Sequence, residues 1–317
     1  MSAVSITTVR SADAINPDDW VHLSPPGHPF LNADFFTTLE RHEAAGPRCG
    51  WHAHHQVAKT AEGALIGIMP SYIKMNSHGD FLRDWSWAAA YEQLGKPYFP
   101  KLISGLPHTP ASGPRFLVNT EYCADDIRQQ LIARAKELVT EQQLSSWHVA
   151  LPADEEIDAL RANGLLVSHD VQFQWRNRGY GDFDGYLAAF PSEKRRKVRA
   201  ERRKVAESGI SIEVRHGNEI APDEWPALYQ LYAMTFDKYG NYAAFSAACF
   251  SELAHKLGRR IVVFIASNQN GPVAISLCFR SDKTLYGRYW GTNGNYHSLH
   301  FELCFYQGIA YCLREGL

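Results

Sequence analysis

The order of predicted elements along this chain repeats, and that repeat limits the fold more than any single motif. Residues 4–10 alternate and are β-branched, which predicts a strand. Helix starts follow at Asn16-Pro17-Asp18 and at Asn32, the latter capping a helix through Phe35, Phe36, Leu39 and His42 to Gly46. Residues 50–60 and 64–74 read as a strand hairpin across Glu62-Gly63. An irregular stretch, 76–113, is rich in Trp, Tyr, Pro and Gly. A strand at 115–119, a helix at 125–142 with Ile127, Leu131, Ala135 and Leu138 on one face, a strand at 146–151, a helix at 154–163 and a strand at 165–175 complete the first half. The second half gives a strand at 210–215 and helices at 222–239 and 243–257. Strands follow at 261–267 and 273–280 across Asn270-Gly271, then a strand at 284–290 and a helix at 298–314 with Leu299, Leu303, Tyr306, Ala310 and Leu313 aligned.

Each half therefore runs strand, two helices, hairpin, further strand, long helix. Residue identity does not repeat, only the order. The predicted class is α+β, and the order matches the GNAT acyltransferase layout used twice. The domains expected are 1–178 and 179–317, the second carrying a basic helix at 192–208. The second copy stops at Gly316-Leu317, where its next strand is due, so it is expected to be C-terminally incomplete. The longest apolar run, Ile261 to Ala266, is far short of the ~20 residues a bilayer span needs. Six cysteines are scattered without a Cys-x-x-Cys pair, and the N-terminus has no apolar block. Reduced thiols and a cytoplasmic location are the expectation.

Charge is concentrated between the halves. Residues 193–204 hold eight basic side chains against Glu193 and Glu201, a local charge of +6 in a chain of formal net charge -2. Arg195, Arg199 and Arg202 share a helical face, and Leu187, Phe190, Val198 and Val205 form a thin apolar stripe. A solvated helix face is the usual fate of such a run. The density in an otherwise acidic chain favours an anion-binding role for Arg195, Arg196, Arg199, Arg202 and Arg203.

Several blocks resemble the FemAB-like family of peptidoglycan biosynthesis/recognition proteins. They include residues 172–177 (QFQWRN), 183–190 and 192–203 (SEKRRKVRAERR). Upstream come Pro70, Tyr72, Lys74, Ser77, Gly79, Asp84-Trp85-Ser86-Trp87-Ala88, Tyr91, Tyr98 and Pro100-Lys101-Leu102. Downstream come Trp290-Gly291, residues 297–302 and Tyr306-Gln307-Gly308-Ile309. Gln174 stands where the family usually has His, and Asp80 where it has Glu. The resemblance implies a tandem GNAT-like fold and an acyl- or aminoacyltransferase. No tightly bound cofactor is expected. The donor would be acyl-CoA or aminoacyl-tRNA. The acceptor would be a small-molecule or peptide amine, such as a peptidoglycan precursor, with tRNA as a partner.

Acyl transfer to an amine needs a proton acceptor, donors for the oxyanion and a proton for the leaving group. Glu302 and His300, after the Gly-rich turn, are the candidate bases, and Tyr289 or Tyr296 the candidate acids. Trp290, Gly291 and Ser298 would line the donor site through free N–H groups of the turn. The competing reading is an ordinary strand-to-helix turn. Asp84, Trp85, Trp87, Tyr91 and Lys101 would form an acceptor surface, against the reading that these rings fill a core under a loop. His52, His54 and His55 are too poorly partnered in sequence to assign a metal. A non-catalytic module recognising cell-wall peptide or glycan, and a nucleic-acid binder acting through the basic helix alone, are the rival classes.

Overall fold

The computed structural model describes residues 4–317. They fall into two units, one taking in the residues up to Pro26 and Phe30–Asp170, the other Gly27–Pro29 and Val171–Leu317. The first unit opens with β1 (Ser5–Val9), α1 (Pro17–Val21) and α2 (Ala33–Arg41). Both helix starts are capped as their sequences require. Asn16 Oδ1 accepts from the Asp18 N–H at 3.0 Å, and Asn32 Oδ1 from the Phe35 N–H at 3.0 Å.

The first hairpin forms but each arm breaks once, giving β2 (Trp51–Ala53) and β3 (His55–Lys59), then β4 (Leu65–Met69) and β5 (Ser71–Lys74). The breaks fall at His54 and Pro70. Pro70 has no N–H for the ladder, so the arm divides there. One sheet runs β1-β3-β4-β7 and the other β2-β5-β6-β8. The stretch expected to be irregular contains two regular elements, α3 (Trp85–Gln93) and β6 (Lys101–Ser104). After them come the short β7 (Leu117–Val118), α4 (Ala124–Glu141), β8 (Trp147–Val149) and α5 (Asp154–Ala162). β8 lies parallel to β6, with α4 as part of the crossover. Ile127, Leu131, Ile132, Ala135 and Leu138 of α4 pack with Ile66, Met69, Leu102 and Phe116. Each such side chain contributes about 1.5–3 kcal/mol when fully buried.

The strand expected at 165–175 is not observed. Those residues lie outside helix and sheet, with Leu166 94% and Phe173 98% exposed. Alternation fits a strand only where a ladder partner exists, and periodicity cannot show whether one does.

The second unit has α6 (Phe183–Ala188), α7 (Ser192–Glu207), β9 (Ser211–His216), α8 (Trp225–Lys238), α9 (Ala247–Leu257), β10 (Ile261–Asn268), β11 (Gly271–Arg280) and β12 (Leu285–Thr292). Its sheet is an antiparallel meander ordered β12-β11-β10-β9. The apolar run from Ile261 to Ala266 is buried throughout, because β10 is an inner strand covered on both faces. This is the expected α+β class in the GNAT-like order.

Gly291 is fixed by packing. A Cβ there would collide with the Leu231 carbonyl oxygen and reach 2.6 Å from the Tyr232 nitrogen, so α8 lies on β12 only because the side chain is absent. Both obstacles are backbone and cannot swing aside. Gly291→Ala is expected to destabilise the second unit by at least the upper end of about 1–3 kcal/mol. Urea unfolding checks this, and an unchanged midpoint would refute the packing argument.

The last helix is three pieces: α10 (Leu299–Phe301), a wide π turn at Glu302–Tyr306, and α11 (Gln307–Glu315). The π turn inserts a residue and rotates the residues beyond it by roughly 100°. Leu299 and Leu303 are buried as expected, but Gly308, Tyr311 and Cys312 then replace Ala310 and Leu313 in the core.

Candidate functional site

The basic helix expected at 192–208 is α7 (Ser192–Glu207), and α6 (Phe183–Ala188) precedes it with Pro191 between them. Leu187, Val198 and Val205 are buried, and Phe190 is half-buried. The face shared by Arg195, Arg199 and Arg202 runs along α6. Arg195 donates to the Ala188 carbonyl at 3.5 Å, Arg199 pairs with Asp184 at 3.1 Å, and the Arg202 guanidinium lies 4.4 Å from the Phe183 ring centre. Arg196 is exposed.

Two contacts fix α7 to the π turn. Arg202 Nε donates to both oxygens of Glu302, at 3.2 and 3.3 Å. Tyr306 donates its hydroxyl to Glu201 Oε2 at 2.6 Å. Gln307 Nε2 also donates to Glu302 Oε1 at 2.8 Å. Glu302 is 3% exposed, so its carboxylate is held in a low-dielectric wall by one guanidinium and one amide. Without the wide turn, Gln307 would stand five residues on and away from Glu302. The turn brings them to the same side.

Arg202, Glu302 and Gln307 line an open groove of about 520 Å³. Phe183, Leu187, Val205, Ala206, Ile210 and Ile212 form its apolar part, and Asp184, Arg199, Arg202, Arg203, Glu302 and Gln307 its polar part. Arg199 and Arg203 side chains are 58% and 69% exposed. Arg203 has Glu207 at 3.9 Å, a loose contact. The groove thus offers guanidinium groups to an anion beside a non-polar surface and an engaged carboxylate.

The sequence pattern of the FemAB-like family, peptidoglycan biosynthesis/recognition, matches residues 11–317, which takes in every residue of this groove. The chain belongs to the FemAB-like family. No curated protein matches it. Among solved structures it is similar to FemX, at 11% identity and a TM-score of 0.52, over 98% of this chain and 86% of FemX. It is also similar to L-PGS from Bacillus licheniformis, at 9% identity and a TM-score of 0.50, over 98% of this chain and 75% of that one. Those two likenesses concern the fold. A tandem GNAT protein from the clavulanic acid biosynthesis pathway aligns over 99% of this chain and 87% of its own, at 14% identity and a TM-score of 0.48. No helix of the described residues is long and apolar enough to cross a membrane.

In this FemAB-like chain the other candidate residues lie apart from the groove. His300 leaves the helix about 200° from Glu302 and packs edge-on to Trp290 at 5.1 Å. Its partial burial lowers its pKa. Tyr289 packs among Tyr232, Phe245 and Phe250, and burial raises its pKa. Tyr296 donates to Asn293 Oδ1 at 3.2 Å. The turn's N–H groups are engaged: Asn293 donates to the Val273 carbonyl at 3.0 Å and Gly294 to Thr292 Oγ1 at 3.3 Å. Ser298 has a left-handed backbone (φ 63°) and its hydroxyl meets His297 at 2.7 Å, so it does not cap the helix.

In the first unit the expected acceptor surface divides. Lys101 is fully buried and pairs with Asp80 at 2.9 Å and with Asp84, and Tyr98 donates to Asp84 Oδ2 at 2.7 Å. Lys74 is the cross-strand partner of Lys101. Burial pushes its pKa down to about 7, and its ammonium sits 3.8 Å from the Trp51 ring centre. Burial raises the Asp80 carboxyl, outweighing Lys101. For Asp84, burial is outweighed by hydrogen bonds from Lys101, Ser77 and Tyr98, and its pKa falls. Trp85 and Trp87 are 68% and 60% exposed, on a helix with no buried residue, so they do not fill a core. Tyr91 is half-buried, edge-on to Tyr98 at 5.1 Å. The three histidines disperse. His54 faces the His52 carbonyl at 3.1 Å, while His55 accepts from the Ser71 N–H and donates to Glu40 at 2.8 Å.

Sequence reasoning missed Phe183, Asp184 and Gln307 as groove residues, and Asp80, Tyr98 and Lys74 as members of the buried ionic group. For the latter a signal existed: lysines placed in apolar strands at positions that pair. For Gln307 none did, because its place depends on the π turn.

Proposed function

We propose that this protein is an N-acyltransferase that moves an acyl or aminoacyl group from a polyanionic donor, acyl-CoA or aminoacyl-tRNA, to an amine acceptor of the peptidoglycan-precursor class. The observation that carries the reading is the groove in which exposed Arg199 and Arg203 adjoin the half-buried Arg202 and its buried partner Glu302. Guanidinium groups at the rim hold the donor's phosphates. The donor's phosphates compete with Glu302 for Arg202, and once Arg202 turns to them Glu302 accepts the proton of the attacking amine. His300, which lies off the groove, and the two tyrosines have no contact with Glu302 that supports a shared step.

Arg202 is a poor residue for testing donor binding, since reversing it would leave Glu302 buried without its guanidinium. The test is Arg199→Glu with Arg203→Glu. Binding of CoA or tRNA is expected to weaken at least about tenfold, with a smaller salt dependence and an unchanged unfolding temperature. Undiminished affinity for both donors would refute the reading. The exposed Trp85 and Trp87 support a second reading, a recognition module for cell-wall peptide or glycan. Retention of muropeptide without any donor binding would favour it.

A further inference from the structure

The groove is not only cationic. Phe183 and Leu187 of α6, Val205 and Ala206 of α7, Ile210 just before β9 and Ile212 within it also line it. Its charged lining is three arginines against Asp184 and Glu302, with Arg202 paired to Glu302 and Arg199 to Asp184. The least engaged guanidinium is that of Arg203, with Glu207 at 3.9 Å, while Arg199 pairs with Asp184 at 3.1 Å, and both arginine side chains are more than half exposed. The molecule that fits is an anionic amphiphile, with phosphates at the exposed arginines and hydrocarbon against the isoleucines. An aminoacyl group would bring an ammonium against Val205, Ile210 and Ile212, while both carboxylates of the groove, Asp184 and Glu302, are already paired with arginines. Desolvating that charge without a partner costs several kcal/mol.

We infer that the groove accepts an apolar acyl chain, so that the donor is a medium- or long-chain fatty acyl thioester of CoA, not an acetyl or aminoacyl donor. This rests on the donor reading above and narrows it. In the transfer the amine nitrogen bonds to the thioester carbonyl carbon and the C–S bond breaks. The amine proton passes by way of Glu302 to the departing thiolate, so the products are an amide and free CoA thiol.

The test measures equilibrium binding of CoA, acetyl-CoA and octanoyl-CoA to the whole chain. Each fully buried methylene is worth about fourfold in affinity. Octanoyl-CoA is therefore expected to bind at least about thirtyfold more tightly than acetyl-CoA, even if the chain is only partly covered. Ala206 is exposed on α7 and lines the groove, so Ala206→Trp should fill the groove without disturbing the core and bring that ratio close to one. If that variant fails to fold, Ile212→Thr, which keeps a β-branched residue in the strand, should lower the ratio at least severalfold. Equal affinity for acetyl- and octanoyl-CoA, or a ratio unaffected by these substitutions, overturns the inference while the donor reading stands. No binding of any CoA thioester overturns the inference and removes acyl-CoA from the donor reading, leaving tRNA to be tested there.

Discussion

Replacing Lys101 by Met is expected to cost the first unit about 3–5 kcal/mol of stability. Lys101 is fully buried with Asp80 at 4% and Asp84 at 2% exposure. Removing its ammonium leaves two carboxylates in the interior with no cation of their own. Tyr98 still donates to Asp84, and Lys74 Nζ is already committed to the His78 carbonyl at 2.9 Å and Asn76 Oδ1 at 3.3 Å. Asp84 Oδ1 is already buried without a hydrogen-bond partner. The measurement is urea unfolding of the variant beside the triple variant Lys101→Met, Asp80→Asn, Asp84→Asn. Neutralising the acids should recover a large part of the loss, because the penalty is the uncompensated charge and not the missing methylenes. A loss below about 1 kcal/mol, or no recovery in the triple variant, would show that the pairing contributes little.

Glu302→Gln is expected to lower turnover by roughly 10²–10⁴-fold, the range for removing a general base. The substitution keeps the size of the side chain and can still accept from Gln307, so the π turn should persist and the circular dichroism spectrum should not change. The loss should fall on kcat, with donor affinity equal or improved, since Arg202 would no longer be held by a carboxylate. A kcat within threefold of the parent would exclude Glu302 as the base. A loss confined to KM would make it a positioning residue for Arg202. His300→Ala serves as the comparison, because His300 lies away from the groove and should affect turnover far less.

Lys101 and Glu302 differ in how far local sequence reveals them. Lys74 and Lys101 are conspicuous in the sequence, as lysines ending otherwise apolar strand segments. A lysine at a strand end is ordinarily exposed. Here β5 and β6 pair Lys74 directly with Lys101, and their burial depends on the segments that cover that row. Glu302 was a candidate from the sequence because it stands just after a Gly-rich turn into a helix. Its partners were not visible, since Arg202 is 100 residues earlier in the chain and Gln307 reaches it only across a widened turn.

The sequence by itself determined the α+β class, the repeated order of elements, the caps at Asn16 and Asn32, the buried face of α4 and the placement of positive charge on α7. These rest on interactions within a few residues, or on periodicities that a strand or helix must satisfy wherever it packs. Tertiary structure alone decided the rest. It put Arg195, Arg199 and Arg202 against α6, leaving Arg199 and Arg203 at a groove rim. It left residues 165–175 without a sheet, set Trp85 and Trp87 in solvent on α3, and turned the last helix by one residue so that Gly308, Tyr311 and Cys312 face the core. The physical reason is common to all of them. A side chain's solvent exposure and ion partners depend on which distant segment lies over it, and local pattern carries no record of that segment.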